Sequence, residues 1–265
     1  TRRLAGLMRY VRLEPFDFST PEGRASERQR RVALTFLASL VAQGAKILTI
    51  IISVPLAIAY LGTERYGLWL TISSFAAFLS FTDLGIGNGL LNAISSASGR
   101  DDRVAMRRAI SSSLFLLAGV SAGLLVAFWT LYPYIPWQEV FNVSSAQAVA
   151  ESGPALAVFV VCFLVNIPFE TVHRVQEGLQ EGFRSKIWQA GGNLASLIAV
   201  ITVINLQMGL PWLVISFIGV PIIATLCNNI SLYRSRYPWL RPSWEFATKA
   251  DAKHIANVGI MFLLL

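Results

Sequence analysis

The chain has 265 residues, of which 54% are hydrophobic and only 14% charged, with a mean hydropathy of +0.56 and a net charge of +7. That is too apolar for a soluble chain of this length, so the composition excludes a water-soluble globular protein and points to a polytopic membrane protein. The positive charge needs no nucleic-acid partner, because the basic residues are scattered over four loops with no interleaved basic and aromatic surface.

The chain starts at Thr1, and its last ten residues stop partway into an apolar run that needs about 20 residues to span a bilayer. It reads as a fragment. The opening 16 residues place Leu4, Leu7, Met8 and Val11 on one helical face with arginines 2, 3, 9 and 12 around the other. This suits a short helix on an anionic membrane surface or a disordered basic tail. Arg2-Arg3 is no export signal, since no apolar core follows until Val32. Thr20 and Pro21 read as the cap and first position of a helix.

Spanning candidates follow at about 33–61, 67–96, 110–132, 153–170, 187–206 and 211–232, with a seventh starting near 256. The expected organisation is therefore a basic cytoplasmic segment (1–32), a six-helix bundle (33–232), a basic cytoplasmic loop (233–255) and the start of a seventh membrane helix (256–265). A tight turn at Gly62-Thr63-Glu64-Arg65 separates the first two spans. Of the 22 basic residues, 20 fall on one set of alternate loops, leaving Arg65 opposite and Lys46 inside a helix. The positive-inside rule then puts the N-terminus in the cytoplasm. The opposite loop, from Tyr132 to Ser152, carries Tyr132, Tyr134 and Trp137 in the manner of an interfacial aromatic belt.

Polar residues within the spans carry the functional expectation. Gln43, Lys46 and Ser53 share one arc of the first helix at about 100° per residue, and Ser80 and Asp83 share one arc of the second. In an antiparallel hairpin, Lys46 and Asp83 would sit at the same depth, about 20 Å from the cytoplasmic ends. A charge there costs about 2.5–3.5 kcal/mol on insertion scales. Two readings stand: an ion pair that pins the hairpin, or a wet cavity in which Lys46 attracts an anionic group and Asp83 couples to ions or protons. Gly85 and Gly89 form a GxxxG pair suited to close helix packing rather than a nucleotide loop.

On the fifth span, Gln189, Gly192, Asn193 and Ser196 share a face that either lines the same cavity or bonds across a helix interface. Pro168 and Pro221 are expected kinks. QEGLQEG (176–182) repeats at four-residue spacing and would make a Gln/Glu/Gly helix surface, while His173 and His254 read as loop residues with a solvated or interfacial role. Cys162 and Cys227 fall in separate apolar segments, suggesting neither a disulfide nor a metal cluster. No HExxH or Walker motif occurs, and no metal, cofactor or enzyme chemistry is expected.

Three stretches together, LGTERYGLWLTISSF (61–75), TDLGIGNGLLNAIS (82–95) and VQEGLQEGFRSKIWQAGGNLASL (175–197), resemble the N-terminal half of the Wzx-type polysaccharide flippases of the multidrug/oligosaccharidyl-lipid/polysaccharide superfamily. The resemblance implies an all-α membrane fold of two six-helix bundles around a cavity, of which this chain supplies one bundle and the start of the next. It implies flipping of undecaprenyl-diphosphate-linked oligosaccharide from the cytoplasmic to the periplasmic leaflet of a bacterial inner membrane, by alternating access. The partners so implied are the lipid-linked oligosaccharide, membrane lipids and other polysaccharide assembly proteins, with coupling to a proton or sodium gradient. The rival readings are a multidrug or cation antiporter of the same superfamily, and a polytopic membrane sugar transferase or polymerase.

Overall fold

The computed structural model describes Phe16, residues 20–79 and residues 85–263, and among these every regular element is helical. Helix α1, Pro21–Leu79, starts well before the apolar run. Its start is set locally: the Thr20 hydroxyl accepts a hydrogen bond from the Gly23 N–H at 3.0 Å, satisfying one of the open donors of the first turn. The turn expected over residues 62–65 is a single hinge. Gly62 alone leaves the helical region, at φ 73° and ψ 177°, where a side chain would be strained.

The remaining elements are α2 (Ile86–Gly99), α3 (Arg103–Leu131), α4 (Trp137–Val140), α5 (Ala146–Phe169), α6 (Thr171–Gly178), α7 (Gly182–Asn205), α8 (Leu210–Val214), α9 (Val220–Ile230) and α10 (Lys249–Leu263). Among the described residues, five helical stretches are long and apolar enough to cross a membrane: Glu22–Ser74, Arg103–Tyr134, Ala146–Gly178, Gly182–Asn205 and Leu210–Arg236. The first is 53 residues long, more than a bilayer needs, and the Gly62 hinge divides it into a long arm before the hinge and a shorter one that turns back after it.

Pairwise contacts fix the directions. Thr35 lies beside Gly182, the Thr49 hydroxyl donates to the Asn193 carbonyl at 3.1 Å, and the Tyr60 hydroxyl accepts from the Gly209 N–H at 2.9 Å. The first arm of α1 therefore runs parallel to α7. Trp69 stacks on Phe217 with centroids 5.0 Å apart, while Arg236 reaches back to Glu181. Beyond Gly62 the chain thus returns alongside the Leu210–Arg236 rod. One apolar core, with Leu61, Ile72, Phe159 and Leu210, lies near this hinge. A second, with Leu90, Ile94, Ile110, Val175 and Ile255, fills the opposite end, where the arginines gather.

Pro221 shows how the sequence shapes a rod. Residues Ile215–Gly219 just before it adopt the wider π register, in which the Ser216 carbonyl would look to the amide of residue 221. Proline has no N–H to give. Ser196 of α7 supplies the donor instead, at 2.7 Å. The kink expected at Pro168 falls where α5 ends and α6 begins, at Glu170.

Two expectations change. The loop expected over 233–255 contains a π turn to Arg236 and short 3-10 turns, and α10 already starts at Lys249. The QEGLQEG repeat does not form one helical surface, because α6 stops at Gly178 and Gln180 takes a left-handed φ of 59° before α7 starts.

Candidate functional site

The first arm of α1 offers the polar residues the sequence singled out, but it divides them. Gln43 and Lys46 are exposed on a face shared with Ile47, Ile50 and Ile51. Ser53 is fully buried, and its hydroxyl has no hydrogen-bond partner among the described residues. The shared arc is real, but its covering is not uniform: towards the hinge, Ala57 and Leu61 are buried as well, whereas at the level of Lys46 the flank is open. Ser80 and Asp83 lie outside the described residues, so the depth match between Lys46 and Asp83 does too.

The seam between α1 and α7 is lined by Ala42, Ala45 and Ala190, with Thr49 bonded to both the Ala45 and Asn193 carbonyls. Asn193 thus meets α1 through its backbone, half-buried. Gly192 packs on α9, where an added Cβ would sit 3.1 Å from Ala224. Gln189 donates to the Ser185 hydroxyl at 3.2 Å and receives a long 3.5 Å contact from Lys186. On the fifth-span polar face, Gly192 and the Asn193 backbone thus meet neighbouring helices, while Gln189 bonds within its own helix.

Gly85 and Gly89 bring α2 and α10 into backbone contact. A Cβ on Gly85 would overlap the Gly259 carbonyl, and one on Gly89 would overlap the Ile255 carbonyl. The close approach is to the chain's last helix, an approach only glycine allows.

Three polar constellations were not singled out as sites from the sequence. His173, expected in a loop with a solvated or interfacial role, lies in α6 and is 5% exposed, with Nδ1 2.7 Å from the Ser185 hydroxyl; the burial comes from α6 folding back under α7. His254 is exposed, but on α10 rather than in a loop. Gln176 and Asn228 exchange both amide hydrogen bonds, at 2.7 and 3.0 Å, in a fully buried pair joining α6 to α9. The third is a double clamp of arginines on glutamates. Glu27 is gripped by Arg30 through two bonds of 2.7 Å and by Arg31 at 3.0 Å, while Arg31 also donates to the Leu179 carbonyl. Glu181, 1% exposed, meets Arg236 at 3.1 Å, Arg184 at 3.2 Å and the Tyr237 hydroxyl at 3.0 Å. Burial, and then the Glu181 carboxylate, push the Tyr237 phenol above its ordinary value, so it stays a neutral donor.

These clamps border a cleft of about 570 Å³ between the Glu27–Val41 stretch of α1 and the start of α7. At the other end of the bundle, Arg65 holds Glu151 with bonds of 2.8 and 3.0 Å, and Glu64 accepts from the Ser144 and Ser145 amides. Phe128, Trp129, Tyr132 and Trp137 cluster beside them, an aromatic girdle of the kind expected at a membrane interface. Among the described residues no group of His, Cys, Asp or Glu could hold a metal ion.

No known family profile matches the chain, and no curated protein does. Solved structures do. An outward-facing multidrug resistance MATE family transporter of the MOP superfamily superposes with a TM-score of 0.72 at 15% identity, over 88% of this chain and 51% of that one. A MOP superfamily transporter from Pyrococcus furiosus, whose binding pocket is described as of reverse polarity, gives 0.70 at 16%, over 88% and 51%. A MATE protein in its straight conformation gives 0.70 at 16%, over 88% and 52%. The chain spans about half the length of the structures it matches. It has the all-helical membrane fold of these transporters, over the extent of about one of their halves.

Proposed function

We propose that this chain is one bundle of a membrane transporter that moves an anionic, lipid-linked cargo between leaflets by alternating access. The cargo fitting that chemistry is an oligosaccharide on a polyprenyl diphosphate, carried across a bacterial inner membrane with the N-terminus of this chain in the cytoplasm. The observation that supports it is Lys46: an ammonium exposed on an otherwise apolar flank of a membrane-length helix, one turn from the exposed Gln43. Against acyl chains that charge would cost about 2.5–3.5 kcal/mol, so the flank is better suited to a hydrated space. A sugar-diphosphate head cannot enter hydrocarbon without losing its water, and a cationic, amide-bearing wall replaces part of that hydration. The lipid tail stays in the bilayer. Asp83 belongs to the same proposal as the group that couples transport to a proton or sodium gradient.

The experiment is complementation of a deletion strain. Loss of the protein should leave lipid-linked units on the cytoplasmic leaflet, and Lys46→Ala should restore their delivery less well than Lys46→Arg. Failure to make the units at all would point instead to a biosynthetic enzyme. The multidrug fold neighbours favour a second reading, a cation antiporter; cationic-dye efflux that survives in Lys46→Ala while sugar delivery is normal throughout would select it.

A further inference from the structure

The cleft between α1 and α7 is not part of the path assigned to Lys46. At about 100° per residue, Val41 and Lys46 fall on opposite flanks of the Ala42–Ala45–Thr49 seam, so the cleft opens on the far side of α1. It has two kinds of wall. One is the pair of clamps, and around Glu181 two guanidiniums face a single carboxylate, an excess of positive charge. The Arg184 and Arg236 side chains are 37% and 46% exposed; Arg236 uses one prong of its donor fork on Glu181, and Arg184 meets Glu181 as an ion pair without a hydrogen bond. The other wall is a stripe of Leu34, Leu37, Ala38 and Val41, spaced i, i+3, i+4 and i+7 along about 10 Å of helix, with Ile187 facing it from α7. Leu37, Val41 and Ile187 are all exposed.

A soluble anion would use the first wall and leave the second wet. A neutral lipid would use the second and leave the charge unmatched. We propose that the cleft binds a phosphate-bearing lipid of the adjoining leaflet, its phosphate on the Arg184 and Arg236 forks and its chain along the Leu37–Val41 stripe. Guanidinium forks match phosphate oxygens two at a time, and the cleft lies at the basic end of the bundle, where headgroups meet the protein. Its volume of about 570 Å³ suits a headgroup with the first part of a chain. A lipid seated there would bridge the starts of α1 and α7, the two helices that pack side by side along the Ala42–Ala45–Thr49 seam.

The test is lipid retention by the purified full chain, read by native mass spectrometry with phosphatidylglycerol, diacylglycerol and inorganic phosphate as probes. Phosphatidylglycerol should be held after detergent exchange, diacylglycerol should not, and inorganic phosphate should not displace the bound lipid. The R184Q/R236Q double variant should weaken retention about tenfold, the loss expected for charge-assisted hydrogen bonds. Ala38→Trp keeps every charge but fills the apolar wall, and it should weaken retention to a similar degree. Should the arginine variant not fold, Ala38→Trp decides alone. Wild-type retention in the folded variants, equal retention of diacylglycerol, or displacement by inorganic phosphate would each overturn the proposal. The readout is binding, not transport, so its failure would leave the Lys46 proposal standing.

Discussion

Replacing Arg65 with Leu tests how the hinge end of the bundle is held together. Arg65 reaches Glu151 through a two-pronged contact, Nε to Oε2 at 2.8 Å and Nη2 to Oε1 at 3.0 Å, with the two side chains only 9% and 16% exposed. The guanidinium also lies 5.6 Å from the Tyr60 ring centroid, and Tyr60 in turn anchors the Gly209 amide. Three stretches of chain therefore meet at one ion pair. Removing one partner of a buried pair costs about 3–5 kcal/mol, because the other charge is left without compensation. The slight hydration of Glu151 places Arg65→Leu near the lower end of that scale, about 3 kcal/mol. At about 2–4 °C per kcal/mol for a chain of this size, the loss is about 6–12 °C in Tm. Thermal denaturation in detergent micelles, followed by tryptophan fluorescence, measures it. The R65L/E151L double variant removes both charges and should recover most of the loss, a non-additivity of about 2 kcal/mol. If R65L melts with the wild type, or if the double variant is as unstable as the two single losses added, the ion pair does not hold this end.

Two further perturbations follow from packing. Gly89→Leu drives a side chain into the Ile255 backbone and should separate α2 from α10; about 1–3 kcal/mol of stability is lost by overpacking, and faster proteolysis of the chain beyond Thr248 should report it. Gln176→Leu strands the buried Asn228 amide and should cost about 1–3 kcal/mol in the same thermal assay, whereas Q176L/N228L should cost less than Q176L alone.

What the sequence made legible was whatever depends on local length and local chemistry. Apolar runs of bilayer length gave the helices, the Thr20-Pro21 pair gave the start of α1, and Gly62 marked the reversal. Glycines 85 and 89 announced a close approach, but not that the partner is α10, since helix pairing is a long-range property. His173 illustrates the limit: TVHRVQEG looks polar enough for a loop, and only the break at Glu170 with the fold-back of α6 buries the imidazole beside Ser185. The QEGLQEG repeat promised one surface, yet the left-handed turn at Gln180 sends Gln176 and Glu181 to different partners, Asn228 and Arg236. Lys46 and Ser53 share an arc, but covering is decided by neighbours, not by periodicity. The arginine cleft could be half seen, in the spacing of Glu27, Arg30 and Arg31 on one helix. Its other half, Glu181 with Arg184 and Arg236, needed the folded chain.

Transport along the proposed path requires water to reach the flank of α1 that carries Lys46. The direct measurement is the reaction rate of Lys46→Cys with a charged, membrane-impermeant thiol reagent, in a background where Cys162 and Cys227 are replaced. A thiol reacts through its thiolate, which forms only where water is present. A hydrated path predicts fast labelling at position 46, slowed by lipid-linked oligosaccharide, beside slow labelling of Ile198→Cys on the exposed apolar face of α7. Equal, slow labelling at both positions would place Lys46 against lipid and contradict the transport path.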